Sequence, residues 1–299
     1  MQFAKARELP SQRTLNYRKW FRNFRLKTIL ILIVIPGAIL FLAPFFWMVS
    51  TSLKDPKMVF LMPPQWIPNP IHWDNYYRAM TRLPFEHYAF NTVEITVLCL
   101  IGHLITASMV AYGFARLRFP GRDVLFILLI STIMLPSQVT LIPTFLIFHA
   151  LGWVDTFKPL IVPDWLGGVP FTVFLLRQFI ATIPIELDEA AKIEGASYFD
   201  IYRLIILPLI KPALAAVSIF VFLWNWNDFF YAVIYINSQT NWTLQLALNA
   251  IRRNKNDVYF VEMEIIMAAS IVVMLPCLII FFAAQRFFIQ GIVFTGVKA

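Results

Sequence analysis

The 299-residue chain is 59% hydrophobic and only 14% charged, and its mean hydropathy is +0.69. Soluble domains carry about 25% charged residues, so the composition excludes a water-soluble globular protein and predicts one that lies in a lipid bilayer. A net charge of +8 would suit nucleic acid, but the placement of the basic residues argues against that partner.

The first 27 residues form a basic tail in front of the first apolar segment. Eight of the 25 Lys and Arg residues lie in it: Lys5, Arg7, Arg13, Arg18, Lys19, Arg22, Arg25 and Lys27. A basic segment beside an apolar span is typical of a cytoplasmic anchor that faces anionic lipid headgroups. The apolar run from Thr28 to Ser50 exceeds the core of a cleavable signal, about 7–15 residues, so we expect it to remain as the first span.

Six stretches reach the length of about 20 apolar residues that a helix needs to cross a bilayer. The predicted spans are 28–50, 88–115, 124–147, 157–180, 209–236 and 265–288. We expect Pro136, Pro143 and Pro276 to kink their spans around a cavity. The predicted fold class is an all-α integral membrane protein with six transmembrane helices. It comprises the tail 1–27 and a six-span domain 28–299 that ends in a C-terminal tail, 289–299.

The fourth predicted span is the weakest of the six. It is interrupted by Asp164, Gly167, Gly168 and Pro170.

The basic residues also predict which side of the membrane each connection faces. Seventeen lie in or beside the N-terminal tail, the 116–122 and 177–211 connections and the C-terminal end, against eight in the other connections. The positive-inside rule therefore places both termini and the 177–211 connection in the cytoplasm. The outward connections would be 51–87, 148–156 and 237–264.

Residues 184–208 form a polar loop whose pattern predicts two helices joined at a glycine. Acidic residues begin the first helix, where the helix dipole favours negative charge. Gly195 stands where a helix C-terminus favours a left-handed residue. Ser197 and Asp200 have the S-x-x-D spacing of a capping box, which would begin the second helix.

The two helices should present different surfaces. Ala190 and Ala191 are small enough to let another protein approach closely. Four isoleucines are expected to face the spans: Ile185, Ile193, Ile201 and Ile205. Taken alone, these residues fit an ordinary amphipathic helix–turn–helix between two spans equally well.

The spacing of this loop, E-A-A-x-x-x-G followed by I-x-L-P, resembles the coupling motif of ABC-importer permeases. The matching anchors are Glu189, Ala190, Ala191, Gly195, Ile205, Leu207 and Pro208. Many members of that family carry Asp where this chain has Glu194, which keeps the charge. The residues predicted to couple to an ATPase are Glu189, Ala190, Ala191, Glu194, Gly195, Ser197, Leu207 and Pro208.

Other segments resemble the permeases of sugar importers in particular. They are Asn91-Thr92-Val93, the runs 111–122 (AYGFARLRFPGR), 135–143 (LPSQVTLIP) and 224–229 (WNWNDF), and Gln285–Gly291 with Gly296 and Lys298. The resemblance covers residues 60 to 299. It is to six-span permeases that pair with a second, different permease, as in the maltose importer.

The resemblance implies a permease subunit of a carbohydrate ABC importer in the cytoplasmic (inner) membrane of a bacterium or archaeon. The implied partners are a second permease subunit, two copies of an ABC ATPase and an extracellular solute-binding protein that delivers a sugar or oligosaccharide. The loop 186–208 would couple the ATPase to transport. The chain lacks a G-x-x-x-x-G-K-[ST] phosphate loop, so ATP and Mg²⁺ would belong to the ATPase. This chain would be no enzyme and bind no cofactor.

Polar residues within spans are costly and often mark a functional path. The fifth predicted span carries such a group: Trp224, Asn225, Trp226, Asn227 and Asp228. Aromatic rings stack on the C–H faces of sugars while amide and carboxylate groups bind hydroxyls, so this segment could line a sugar path. Alternatively, its amides and carboxylate tie spans together by interhelical hydrogen bonds.

The outward loop 237–264 could contact the binding protein through Arg252, Arg253 and Lys255, or these residues could simply be solvated. We expect His103 to be a satisfied interhelical polar group. The His and Cys residues show no metal-ligand spacing, so no metal site is predicted.

Two other classes of protein remain to be weighed. A stand-alone secondary transporter or channel for a polar solute could use Asp228 for ion coupling, but the expected inverted repeat is not visible. A membrane enzyme would need an H-E-x-x-H or nucleophile motif, and none is present. The sequence leaves open whether the sugar is neutral or acidic, and whether it is a monosaccharide or an oligosaccharide.

Overall fold

The computed structural model describes residues 12–167, 169–252 and 262–293, with side chains over 30–167, 169–251 and 262–285. Within these ranges the chain is helical and contains no strand. Four helices are long and apolar enough to cross a bilayer, or six spans if each of two bent helix pairs counts as one. The predicted all-α membrane fold is confirmed.

The described ranges contain fourteen α-helices. The first seven are α1 (Gln12–Ser52), α2 (Asp74–Thr81), α3 (Phe85–Arg116), α4 (Arg122–Ser131), α5 (Ser137–Ala150), α6 (Lys158–Ile161) and α7 (Pro170–Ala181). The others are α8 (Glu186–Ile193), α9 (Tyr198–Asp200), α10 (Leu207–Leu209), α11 (Lys211–Trp226), α12 (Phe230–Tyr235), α13 (Leu244–Arg252) and α14 (Met263–Val293).

Three of the predicted spans are broken. The helical segments Arg122–Met134 and Ser137–Ala150 meet at an angle of 100°, because the residue before Pro136 is extended; the kink predicted at Pro136 is confirmed. A 3₁₀ turn, Val162–Trp165, interrupts the fourth span. In the fifth, α11 ends at Trp226 and the helix resumes at Phe230.

The other two prolines that were predicted to kink their spans lie inside helices. Pro143 stands inside α5 and Pro276 inside α14.

Helix α3 is the centre of the fold and packs against both α7 and α11. Its small residues Ala107 and Ala111 are fully buried in the main apolar cluster. At Gly102 the indole of Trp165 lies so close that an added Cβ would be 2.3 Å from the ring, and the Trp165 indole N–H donates to the carbonyl of Leu98 at 3.1 Å. The interruption of the fourth span is thus seated on α3.

The connections lie at two ends of the helices. We call the end formed by 117–121 and 182–210 the motif face, and the end formed by 53–84, 151–157 and 236–243 the far face.

On the far face the Asp155 carboxylate accepts hydrogen bonds from the backbone N–H groups of Asn237 and Ser238, at 2.9 and 2.7 Å. The Ser238 hydroxyl and N–H lower the pKa of Asp155 from 3.8. The charge that holds this tie therefore persists until the pH falls below that value.

Candidate functional site

The first helix of the loop 184–208 ends as its sequence predicts. Gly195 has a φ of +86°. Its N–H donates to the carbonyl of Lys192 at 3.0 Å, and the N–H of Ala196 donates to the carbonyl of Ala191 at 2.9 Å. These two bonds form a Schellman motif, which requires the left-handed residue. The prediction that Gly195 ends this helix in the left-handed conformation is confirmed.

The second helix begins at the predicted capping box. The N–H of Asp200 donates to the Ser197 hydroxyl at 3.2 Å, and the N–H of Ser197 donates to the Asp200 carboxylate at 3.1 Å. The chain continues through a π-helical segment, Ile201–Ile206, to Leu207 and Pro208 in α10. It then bends by 77° into α11. The loop is therefore two helices joined at Gly195, with a sharp turn into the fifth span.

The exposed surface of α8 is more apolar than the sequence suggests. Glu189, Ala190 and Glu194 are exposed. The prediction that all four isoleucines face the spans is wrong for Ile193, which is 88% exposed, whereas Ile201 is fully buried. Ile185, at 42%, is also largely exposed, and Ile205 packs partly against the core. The reason is that α8 turns Asp188 and Ala191 towards the protein, which leaves Ile193 on its outer side.

A buried ion pair fixes α8 to the end of α3, and the sequence reasoning did not single it out. The Arg116 Nε lies 3.3 Å from the Asp188 carboxylate, with only 7% and 3% of the two side chains exposed. The Arg116 Nη2 also donates to the carbonyl of Ile183 at 2.7 Å. The sequence did carry a signal for this pair. Arg116 lies inside the 111–122 run, and Asp188 directly precedes the E-A-A motif.

The second helix of the loop is fixed to α3 as well. The Tyr112 hydroxyl donates to the carbonyl of Tyr198 at 3.1 Å, and the hydroxyls of Ser108 and Tyr202 share a hydrogen bond of 2.8 Å. Both helices of the loop are thus attached to the C-terminal half of α3.

A cavity of about 1010 Å³ lies farther along the same helix. Thr92 and Ile95 of α3 contribute to its wall. The other walls come from α5 (Ser137, Thr140, Leu141, Thr144, Phe148), from the fourth span (Pro159, Leu160, Pro163, Asp164, Val169), from the fifth (Leu223, Trp224, Asn225, Asn227, Asp228, Phe229, Phe230, Tyr231, Tyr235) and from Thr243. One helix therefore connects the cavity to the loop.

Four of the five residues predicted to line a sugar path border this cavity. They are Trp224, Asn225, Asn227 and Asp228. Trp226 does not, because it is 5% exposed and its indole N–H donates to the carbonyl of Val273 in α14 at 3.0 Å. The break in the helix after Trp226 turns the neighbouring polar groups towards the cavity.

The polar groups of this segment bond mainly within their own span. The side-chain amides of Asn225 and Asn227 donate to the carbonyls of Val221 and Leu223, at 3.0 and 2.9 Å. The Asp228 carboxylate accepts from the N–H of Tyr231 at 3.2 Å and so caps α12. Interhelical ties therefore do not account for Asn225 and Asp228 within the described residues.

A second carboxylate on the cavity wall is paired with a buried histidine. The His103 Nδ1 lies 2.8 Å from the Asp164 carboxylate, and its Nε2 lies 2.7 Å from the Thr172 hydroxyl. The prediction that His103 is a satisfied interhelical group is confirmed. Asp164 was noted in the sequence only as an interruption of the span.

The remaining predicted site lies at the edge of what the structure describes. Arg253 and Lys255 are outside the described residues, and of Arg252 only the backbone is described, at the end of α13. Among the described residues no group of three His, Cys, Asp or Glu side chains could hold a metal ion.

Comparison with known proteins identifies the family to which this chain is similar. Residues 103–293 match the family described as "Binding-protein-dependent transport system inner membrane component". The osmoprotective compounds uptake permease protein GgtD of Synechocystis sp. is 35% identical over 70% of this chain and 69% of its own length. The arabinooligosaccharides transport system permease protein AraQ of Halalkalibacterium halodurans is 32% identical over 77% and 81%.

A solved structure has the same fold. The crystal structure of a bacterial ABC transporter that imports the acidic polysaccharide alginate contains a chain that superposes with a TM-score of 0.78 at 23% identity, over 89% of this chain and 98% of that one. The family match spans the end of α3, the loop 184–208 and all of the cavity wall except Thr92 and Ile95. This chain belongs to the binding-protein-dependent transport system inner membrane components.

Proposed function

We propose that this chain is a permease subunit of an ATP-driven importer that moves a saccharide or a related polyol from an external binding protein into the cytoplasm. The observation that carries the proposal is the loop 184–208. Its exposed face combines Glu189, Ala190, Ile193 and Glu194, and its inner face is fixed to α3. An exposed isoleucine beside small and acidic residues suits a surface that a partner protein covers.

In the proposed mechanism, an ATPase binds α8. When the ATPase moves, α8 and α3 move together as a rigid unit. Because Arg116, Tyr112 and Ser108 fix both loop helices to α3, a displacement of the loop displaces α3. Thr92 and Ile95 of α3 border the cavity, so the same displacement alters the solute path. This arrangement requires the loop on the cytoplasmic side, with both termini there as well.

The cavity wall formed by α5 is evidence that a second permease subunit is present. This helix has no buried residue among its fourteen, yet five of its residues border the cavity. A cavity with one wall unpacked needs another surface to complete it. The relatives transport osmoprotective compounds and arabinooligosaccharides, and the structural neighbour imports alginate, which supports a saccharide or polyol as solute.

The test is to purify the tagged chain from its host membranes. We expect a second permease and an ABC ATPase to co-purify, and the complex to hydrolyse ATP faster with the solute-loaded binding protein. Recovery as a lone protein that transports without ATP would instead establish the alternative, a secondary transporter or channel.

A substitution at Gly195 tests the coupling loop within that complex. An added Cβ at Gly195 meets no atom within 4 Å, so any effect comes from the positive φ, which costs a side chain such as leucine about 1–2 kcal/mol. We expect Gly195→Leu to abolish most stimulated hydrolysis, while Gly195→Asn, which tolerates this conformation, retains it. Full stimulation in Gly195→Leu would refute the assignment of the loop.

A further inference from the structure

The side chains that face the cavity combine aromatic rings with neutral polar groups. Trp224, Phe148 and Tyr231 supply ring faces, and the amides of Asn225 and Asn227 and the hydroxyls of Thr140 and Thr144 supply hydrogen-bonding atoms. No Lys, Arg or His is among the described residues of the wall. The wall can bind hydroxyl groups and C–H faces, but it offers no cation to a negatively charged solute.

The hydrogen bonds around His103 decide how much charge Asp164 brings. The Thr172 hydroxyl donates its hydrogen to the carbonyl of Val169 at 2.7 Å, so it accepts from the His103 Nε2–H. The contact of 2.8 Å between Nδ1 and the Asp164 carboxylate then needs one more proton, on either atom. In both arrangements the pair is neutral as a whole, and Asp164 contributes no net charge to the cavity.

Asp228 is different, because no cation offsets it. Its carboxylate accepts the Tyr231 N–H, and no described Lys, Arg or His forms an ion pair with it. At an effective dielectric constant of about 20, the binding of a second negative charge about 6 Å away would be weakened roughly 100-fold. A carboxyl group is meanwhile a good partner for the hydroxyls of an uncharged solute.

We infer that the solute passing through this cavity is an uncharged saccharide or polyol, and that Asp228 excludes uronates and other acidic sugars. The inference rests on the proposed function, since it concerns the solute of that same importer. It divides the candidate sugars by charge, which the sequence left open.

The first experiment compares uptake in the host strain with and without this chain. The probes are labelled maltotriose, cellotriose, arabinotriose, glycerol glucoside and trigalacturonate. Loss of uptake of one of the four uncharged probes, with trigalacturonate unaffected, is the expected result. Loss of trigalacturonate uptake overturns the inference but leaves the proposed function intact. If no saccharide or polyol uptake depends on the chain, the proposed function falls, and the inference falls with it.

The second experiment tests Asp228 itself, without the selectivity of the binding protein. The purified complex in nanodiscs is tested by equilibrium dialysis for binding of trigalacturonate and of the uncharged probe from the first experiment. Asp228→Asn removes the charge, yet asparagine still caps a helix as well as aspartate does, so α12 should be preserved. We expect it to raise the affinity for trigalacturonate relative to the uncharged probe by at least tenfold.

The matched control removes a negative charge elsewhere on the chain. Glu86, in the first turn of α3, is exposed and does not border the cavity. Glu86→Gln should leave the affinity ratio at the wild-type value. An unchanged ratio in Asp228→Asn, or an equal change in Glu86→Gln, would overturn the role of Asp228.

Discussion

Gly102 shows how one residue positions a wall of the cavity. The Trp165 indole occupies the space where a Cβ would stand, 2.3 Å from the nearest ring atoms, and Trp165 adjoins the cavity residue Asp164. We expect Gly102→Ala to displace the rigid ring and to destabilise the protein by about 1–3 kcal/mol, the usual cost of overpacking. The measurement is the thermal unfolding of the purified complex, together with solute binding.

The same helix supplies the control for that prediction. A Cβ added at Gly113 meets no atom within 4 Å, so Gly113→Ala should be neutral or stabilise the helix by up to about 1 kcal/mol. Equal stability of the two variants would mean that Trp165 does not rest on Gly102.

Residues governed by their sequence neighbours were predictable, and those governed by distant packing were not. Gly195 and the Ser197–Asp200 capping box depend on bonds within a few residues, and both are as predicted. Ile193 and Trp226 depend on how α8 and α11 turn against the rest of the fold. A hydrophobic side chain identifies neither the direction of that turn nor the partner that covers it.

At the scale of elements, the attachment of α8 to α3 depends on one buried ion pair. Removal of either charge leaves the other buried without a partner, which costs about 3–5 kcal/mol. We therefore expect Asp188→Leu and Arg116→Met each to lower the thermal stability of the complex markedly. The double variant should recover most of the loss, because two apolar groups then face each other. It should nevertheless remain poorly coupled, since the rigid link between α8 and α3 is gone.

The neighbouring pair Arg122–Asp123 provides the comparison. Its side chains are 29% and 74% exposed, and exposed pairs contribute at most about 1 kcal/mol. Asp123→Leu should therefore change neither stability nor stimulated ATP hydrolysis appreciably. A loss as large as that of Asp188→Leu would show that burial is not the source of the effect.

Some of the interruptions of the spans were predictable from the sequence, and others were not. Pro136 disfavours a helical residue before it, and the span bends where Leu135 is extended. Nothing local predicts the π-helical segment Ile201–Ile206. The cluster of Asn227 and Asp228 after Trp226 indicated a polar site, but not that α11 would end there.

At the scale of the whole molecule, composition and apolar length were enough for the fold class and for up to six spans. The cavity was beyond reach, since its walls come from three broken spans and α3. Its unpacked wall, α5, leads to the last prediction: that a second permease subunit covers this helix. With Cys99 and Cys277 replaced by alanine, Val139→Cys labelled with a thiol-reactive benzophenone should photo-cross-link to that subunit within the native membrane.

The comparison site for that experiment is matched in exposure. Val139 in α5 is 67% exposed and Ile279 in α14 is 65% exposed, but only Val139 adjoins a residue of the cavity wall, Thr140. If exposure alone governed cross-linking, Ile279→Cys would react equally well, and the unpacked face of α5 would be a surface for lipid. Cross-linking confined to Val139→Cys requires a protein partner at the open wall, because two sites of equal exposure would otherwise react alike.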